Sequence, residues 1–166
     1  MLDSLGAALA KVDPNLTFEL GPQTARRDFV LSADGIRAAF PEVEALYGAA
    51  PKLENWRLIK FRPRRSPSTT LTLNGRHFDP ARARFLLVKD DPGKVGIVRF
   101  LEHYSKAEHD LFAKAGFLIL DEALGEFDIE TRVGAIDFWG ADSPHYARSR
   151  PLAELPTAFD TFFIKP

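Results

Sequence analysis

The stretch that decides the fold is Ser105–Trp139, SKAEHDLFAKAGFLILDEALGEFDIETRVGAIDFW. Its first half has the signals of one long helix, about 28 Å in length at the usual helical rise. Ser105 and Glu108 have the spacing of a capping box, in which two residues at the start of a helix exchange side-chain to backbone hydrogen bonds. Gly125 stands where helices commonly end in a left-handed residue. The stretch therefore predicts a helix that runs from a capping box to a glycine stop.

Apolar residues cover more than one stripe of this predicted helix, namely Leu111, Phe112, Ala115, Phe117, Leu118, Ile119, Leu120 and Ala123. This breadth predicts that the middle of the helix is buried nearly all round. Gly116 lies inside it at a cost of about 1 kcal/mol relative to alanine, which suggests close approach to another backbone. After the glycine stop, the apolar run at 133–139 predicts a strand in the middle of a sheet.

The rest of the chain predicts short strands and helices in alternation. A short amphipathic helix opens the chain, and the two extended runs after it are a candidate hairpin. Asn74-Gly75 is a strong hairpin signal through a type I′ turn, and a DDPG turn joins two further strands. Pro41 either kinks a helix or starts a second one. Because most strand connections are of hairpin length, we predict a single α+β domain over residues 1–166, with a largely antiparallel sheet and helices packed mainly on one face.

Composition limits the class of protein. The chain has 166 residues, of which 45% are apolar, so it can bury a substantial core. It contains no cysteine, which excludes disulfides, thiolate metal sites and a cysteine nucleophile. It has no apolar run long enough to span a membrane, and its N-terminus lacks the basic start of a secretory signal. These features favour a cytoplasmic protein with no membrane partner.

Charge is nearly balanced overall, with a net charge of −1 at pH 7, but it is unevenly distributed. Residues 57–99 contain eleven Lys or Arg against three acids, and residues 102–142 contain ten acids against three bases. Complementary charge on neighbouring layers of one domain is the simplest explanation. The alternative is a basic face that binds an acidic partner.

Acids crowd the end of the long helix and the turn after it, namely Asp121, Glu122, Glu126, Asp128 and Glu130, of which the first four are the candidate site residues. Paired carboxylates can perform acid–base catalysis or hold Mg²⁺. However, acids at the C-terminal end of a helix are electrostatically unfavourable, so basic partners such as Arg132 are expected. We favour a structural salt-bridge network here, and a binding or metal site is the alternative.

Basic residues concentrate in a predicted strand and the loop after it, namely Arg57, Lys60, Arg62, Arg64 and Arg65, of which the first four are the candidate site residues. Trp56 and Phe61 lie among them, and this pattern is compatible with phosphate contact and base stacking on a single-stranded nucleic acid. The acidic isoelectric point of about 6.4 and the lack of any nucleic-acid-binding signature argue against it. A solvated strand and loop is the simpler interpretation.

Motifs that carry known chemistry are missing. His103, His109 and Asp110 form the nearest approach to a metal cluster, but their spacing matches no metal-binding motif. The sequence has no GxSxG, GxxxxGK[ST] or GxGxxG motif either. We therefore assign no catalytic residue, no metal ligand and no cofactor.

Three patches carry a resemblance: FVLSADGIRAAFPEVEALYGAAPKLENWRLIKFRPR, LDEALGEFDIETRVGAIDF and PLAELPTAF. They resemble a group of small bacterial proteins of unknown function, in which a Phe-Pro helix, an AAP…W…FRPR-like strand and an LGE-aromatic-Asp turn recur. The resemblance implies a bacterial source and a single domain. It draws attention to Gly125, Glu126 and Asp128 as one unit, and it brings no activity with it.

The sequence thus predicts a cytoplasmic, non-catalytic α+β domain that binds another protein or a second copy of itself. The candidate binding residues are the four acids and the four basic residues named above. The alternative is a metal-assisted hydrolase or phosphate-transfer enzyme that uses the acidic turn at 121–128. Nucleic-acid binding through residues 57–65 ranks third.

Overall fold

The computed structural model describes residues 2–164, which form five α-helices and three small sheets. These residues divide into two compact units. Unit 1 contains the described residues up to Pro63 together with Gly125–Glu130. Unit 2 contains Arg64–Leu124 and the described residues from Thr131 onward. The α+β class predicted from the sequence is confirmed, whereas the assignment of residues 1–166 to one domain stays a prediction.

Unit 1 is built on a three-stranded sheet. Its helices and strands are α1 (Leu2–Ala10), β1 (Thr17–Leu20), β2 (Arg27–Ser32), α2 (Phe40–Ala49) and β3 (Trp56–Lys60). The strand order is β1-β2-β3, with β1 antiparallel and β3 parallel to β2. The hairpin predicted for the first two strands is therefore confirmed. Pro41 lies in the first turn of α2, so it starts this helix instead of kinking it.

The core of unit 1 lies toward one end of the sheet. Leu9 of α1 and Val43 of α2 are buried with Leu31 of β2. Phe61, directly after β3, is only 4% exposed, and its ring centre lies 4.5 Å from that of Phe40. The two helices therefore cover the part of the sheet around Leu31.

Unit 2 contains the longest helix and the remaining strands. Its strands are β4 (Leu71–Leu73), β5 (Arg76–Phe78), β6 (Arg84–Lys89), β7 (Val95–Phe100), β8 (Val133–Trp139) and β9 (Arg150–Pro151). Its helices are α3 (His109–Leu124) and, at the end of the described chain, α5 (Leu155–Ile164). A further helix, α4 (Glu126–Arg132), begins in unit 1 and ends in unit 2.

The strands of unit 2 form a hairpin and a four-stranded sheet of order β8-β7-β6-β9. The predicted type I′ turn is present, since Asn74 and Gly75 both have positive φ, at 49° and 75°, and β4 pairs with β5 around them. Antiparallel pairs outnumber parallel ones by four to two over the described strands, which agrees with the prediction. The strands form three small sheets, however, and β8 is an edge strand, not the central strand that its apolar run suggested.

The start of α3 differs from the prediction. A short 3-10 turn at Lys106–Glu108 precedes the helix, and the Ser105 side chain makes no capping hydrogen bond. The Glu108 carboxylate instead accepts hydrogen bonds from the Arg76 guanidinium at 2.8 and 2.9 Å. The capping box therefore does not form, because a basic residue distant in sequence holds its glutamate.

The burial of α3 is also narrower than predicted. Phe117 and Leu118 are 47% and 46% exposed, so the expectation that this helix is buried nearly all round is wrong. Only one face packs, and it contains Gly116, where an added Cβ would lie 2.1 Å from Cε1 of Phe138. The close approach predicted at this glycine is real, but an aromatic ring makes it and not a backbone.

The glycine stop after α3 is confirmed, because Gly125 has a φ of +76°. We predict that Gly125→Ala destabilises the protein by about 1 kcal/mol or more, since an L side chain is strained in this conformation. Gly6→Ala is the matched control, because Gly6 lies inside α1 and an added Cβ there would meet no atom within 4 Å. Denaturant unfolding should show the control to be neutral or stabilised. Equal stability of Gly125→Ala and the wild type would contradict this reading of the helix end.

Candidate functional site

Glu126 is the most constrained of the acids that the sequence singled out. Its side chain is fully buried in unit 1. Its Oε1 accepts hydrogen bonds from the backbone amides of Ala33 and Gly35 at 2.9 and 3.1 Å, and its Oε2 accepts one from the amide of Arg62 at 3.0 Å. The sequence predicted Arg or Lys side chains as partners, whereas the observed donors are backbone N–H groups. Such a carboxylate is a structural anchor.

The anchor holds strained backbone in place. Asp34 and Phe61 have positive φ values of 51° and 61°, a conformation that costs on the order of 1–3 kcal/mol for residues other than glycine. Each lies next to an amide that donates to Glu126. Phe127, the next residue along, packs its ring at 5.3 Å from that of Phe61. Glu126 and Phe127 therefore fix the two segments that carry the strain.

The other acids do not complete a metal site. Asp121 and Glu122 lie in α3 of unit 2, and Asp128 lies in the unit 1 part of α4. Within residues 2–164, no group of three or more His, Asp or Glu side chains could hold a metal ion. His109, which precedes Asp110 in the sequence, has its Nδ1 2.9 Å from the Tyr104 hydroxyl. The metal-assisted alternative therefore has no ligand set in this part of the chain.

Each of the four basic candidates forms an ion pair with an acid. The pairs are Arg57–Asp28 at 2.7 Å, Lys60–Glu44 at 2.7 Å, Arg62–Asp34 at 2.7 Å and Arg64–Asp160 at 2.8 Å. The hydrogen bond to Asp28 raises the pKa of Arg57, and the hydrogen bond from Arg64 lowers the pKa of Asp160. The basic segment also divides, because Arg64 belongs to unit 2 and the other three to unit 1. Each of the cations considered for phosphate contact is therefore already paired with an acid of the same chain.

The aromatic residues of the basic segment are poorly placed for base stacking. Phe61 is buried in the core of unit 1. Trp56 is partly exposed, but the Arg27 guanidinium lies 5.9 Å from the centre of its ring. These positions favour the structural interpretation of the basic segment over the nucleic-acid interpretation.

A concave apolar surface of unit 1 is the feature that the sequence analysis missed. We call it the unit 1 groove, and its volume is about 530 Å³. Leu20, Phe29 and Leu58 form its floor, because they are aligned across β1, β2 and β3 and project to the same side of the sheet. Leu2 and Leu5 of α1, with Leu53 and Trp56, complete its apolar lining.

The groove exists because α1 covers only part of the sheet. Leu9, near the end of α1, is 7% exposed in the core, whereas Leu2 at its start is 53% exposed. Leu53, in the connection before β3, also lines the groove and is 44% exposed. The sequence carried a weak signal for this, in the apolar alternation of β1 and the leucine spacing of α1, but these patterns do not distinguish covered from uncovered ends of a sheet.

Arg27 is the single charged residue that lines the groove. Its Nε donates a hydrogen bond to the Gly21 carbonyl at 2.8 Å, and its guanidinium lies beside the Trp56 ring. The groove therefore combines an apolar floor with one cation at its edge. Concave, mostly apolar surfaces with few polar groups are typical of binding sites.

Comparisons with known proteins add no assignment to this site. No protein-family model, curated protein or solved structure matches the chain. The resemblance to small bacterial proteins therefore stays a prediction. Among the described helices, none has the length and apolar character needed to cross a membrane.

Proposed function

We propose that this chain is a cytoplasmic, non-catalytic protein-interaction domain, and that the unit 1 groove binds an apolar segment of a protein partner. The observation that carries this proposal is the groove itself, with seven apolar side chains and one arginine around about 530 Å³. A contiguous apolar surface exposed to water marks a site that another molecule covers. The partner is either another protein or a second copy of this chain.

Covering the groove removes apolar side chains from water. Leu2 and Leu53 are each about half exposed, and complete burial of a leucine side chain contributes about 1.5–3 kcal/mol. Each of the two leucines therefore offers roughly 1 kcal/mol to a partner that covers it. Trp56 adds a partly exposed aromatic surface, a residue type that often dominates binding energy at interfaces.

The enzyme alternative has less support. A hydrolase or phosphate-transfer site on the acidic turn needs the Glu126 oxygens, and three backbone amides already bind them. The groove lining contains no carboxylate, histidine or hydroxyl side chain that could act as a catalytic base or nucleophile. The binding proposal therefore uses the groove, and the acidic turn serves as structure.

A selection from a phage-displayed library of linear peptides tests the proposal. We expect the protein to select apolar peptides, and we expect Leu53→Glu to weaken their binding at least tenfold, because it places a charge on an apolar rim. Fluorescence anisotropy with one selected peptide measures the effect.

Leu118→Glu is the matched control, since Leu118 is a leucine of nearly the same exposure on α3 and does not line the groove. Both variants should fold, because neither leucine is buried in the wild type. Equal binding to both variants, or the failure to select any peptide sensitive to Leu53, would overturn the assignment of the groove as the binding site.

A further inference from the structure

We propose that the partner at this surface is a second copy of the chain, and that the two copies pair their β3 strands antiparallel about a two-fold axis at Leu58. This inference rests on the proposed function, since it names the occupant of the unit 1 groove. It follows from the hydrogen-bonding pattern of β3, the order of its residues and the face on which the groove lies.

β3 is an edge strand with a free row of backbone groups. In the described sheet it pairs only with β2. The amide of Arg27 donates to the carbonyl of Asn55, and the amide of Phe61 donates to the carbonyl of Leu31. In a parallel ladder the residues that bond to one neighbour alternate along the strand, so Arg57 and Ile59 face β2. The N–H and C=O groups of the residues between them, with Leu58 at the centre, point away from the sheet.

The outward groups are available for pairing. Within residues 2–164, no side chain or further strand bonds the backbone of Leu58. The amide and carbonyl of Trp56 have only long contacts, at 3.4 Å to the Leu53 carbonyl and 3.4 Å to Arg26 Nε. Weak contacts of this kind are easily exchanged for a strand ladder. An unpaired edge of this type is the surface to which proteins add a further strand.

The strand is complementary to itself. An antiparallel pair centred on Leu58 places Leu58 opposite Leu58 of the second copy, and each outward-facing residue can exchange two hydrogen bonds with its opposite number. Trp56 then lies opposite Lys60 of the second copy, an aromatic–cation pair. Arg57 lies opposite Ile59 of the second copy. This register pairs every residue of β3 and opposes no two like charges.

Neighbouring registers are less favourable. A shift by two residues in one direction places Arg57 opposite Arg57 of the second copy, and like charges directly opposed destabilise a sheet. The same shift in the other direction leaves Trp56 outside the paired strand. The charges on β3 therefore act as a selector of register, as charged residues on natural edge strands do when they limit uncontrolled pairing.

The groove and the strand edge belong to one surface. Trp56 and Leu58 line the groove with their side chains, and the outward groups of the same residues form the edge. Pairing two β3 strands joins the floors of the two grooves into one apolar face with Leu58 of both copies at its centre. The proposed interface therefore covers the apolar side chains of the groove and also gives the outward backbone groups of β3 hydrogen-bond partners.

A single-cysteine cross-link tests the register. The chain has no cysteine, so Leu58→Cys introduces a unique thiol. Opposed residues of a hydrogen-bonded antiparallel pair have Cα atoms about 5.5 Å apart, within the range of a disulfide. We expect diamide, which accepts the two hydrogens of the thiols, to convert Leu58→Cys to a disulfide-linked dimer at least tenfold faster than Leu118→Cys. Leu118 is the more exposed of the two leucines, so random collision would favour the control.

Sedimentation velocity of the full chain at tens of micromolar supplies the second measurement. We expect the wild type to sediment as a symmetric dimer and Leu58→Pro to sediment as a monomer. Proline at this position removes the outward N–H and the Leu58 side chain from the proposed interface, but it removes no hydrogen bond of the ladder with β2. Far-UV circular dichroism reports whether the variant is folded, and the cross-link does not depend on it.

The outcomes separate the two proposals. A monomeric wild type, with Leu58→Cys no faster than the control, overturns the pairing of β3, and the peptide selection then decides the binding role by itself. A dimer that persists in folded Leu58→Pro and does not cross-link at position 58 places the interface elsewhere and also overturns it. A rapid cross-link at position 58 together with a concentration-dependent dimer supports it.

Discussion

Glu126→Ala is expected to destabilise the protein by about 3–5 kcal/mol. The substitution removes both acceptor oxygens from the backbone amides of Ala33, Gly35 and Arg62. A buried donor left without a partner costs about 1–3 kcal/mol, and partial rehydration keeps the sum below the maximum. The strain at Asp34 and Phe61 adds to the loss, because the anchor that holds these conformations is gone. Urea denaturation followed by tryptophan fluorescence measures the change.

Glu122→Ala is the control for Glu126→Ala. It removes the same functional group four residues earlier in the acidic segment, from a side chain that is only partly buried. We expect its effect to stay within about 0.5 kcal/mol. The loss of stability for Glu126→Gln should fall between those of the two alanine variants, since an amide keeps one acceptor but turns an NH₂ group toward a backbone donor. A loss below about 1 kcal/mol for Glu126→Ala would show that water or another group replaces the carboxylate.

Elements with local signals were predictable from the sequence. The Asn74-Gly75 turn needs two positive φ values in succession, and this residue pair accepts them at low cost. Gly125 ends α3 for the same conformational reason. The apolar alternation around Phe18 gave β1 and its hairpin with β2. In each case the cause and its effect lie within a few residues of one another.

Interactions between distant residues account for the errors. Ser105 and Glu108 have the spacing of a capping box, but the glutamate is bound by Arg76, which lies 32 positions earlier. Glu126 belongs to an acidic cluster in the sequence, yet its partners are backbone amides 93, 91 and 64 positions away. Backbone donors carry no sequence signature. The pattern of acids therefore could not distinguish a structural anchor from a metal site.

The unit 1 groove was beyond prediction for a related reason. The two-residue period of a strand places Phe29 and Leu31 on the same side of β2, the side that α1 covers in part. It does not show how far along the sheet that helix extends. Leu31 is 3% exposed and Phe29 is only partly buried, although their positions in the pattern are equivalent. The uncovered half of an apolar sheet face becomes visible only when α1 is placed.

Arg99 is a charged residue that is buried, whereas the groove residues are apolar and exposed. The alternation of β7 places its side chain inside the protein. Its side chain is completely buried between Phe85 and Phe138, its neighbours on β6 and β8. Nη1 donates to the Gly116 carbonyl at 3.2 Å, and Nε and Nη2 have no hydrogen-bond acceptor among residues 2–164. Burial lowers the pKa of Arg99 well below its usual range, to about 9. The guanidinium therefore opposes folding while it is charged.

Arg99→Met is expected to stabilise the protein by about 1–4 kcal/mol at pH 7, because an apolar side chain of similar length replaces a desolvated cation.

The gain in stability should depend on pH. Below pH 9 the folded and unfolded states both hold the proton, and the full cost of the buried charge is present. Between the folded and unfolded pKa values the unfolded state binds more protons, so wild-type stability rises with pH by up to about 1.4 kcal/mol per unit. The advantage of the variant should accordingly stay constant up to about pH 9 and shrink above it, and other titrating groups cancel in the difference between the two proteins. Arg84→Met is the control with the opposite sign, since Arg84 donates to the Ser149 hydroxyl at 2.7 Å and stacks on Tyr146, so its loss should destabilise. An Arg99→Met protein less stable than the wild type at pH 7 would mean that the buried guanidinium holds β7 and α3 together.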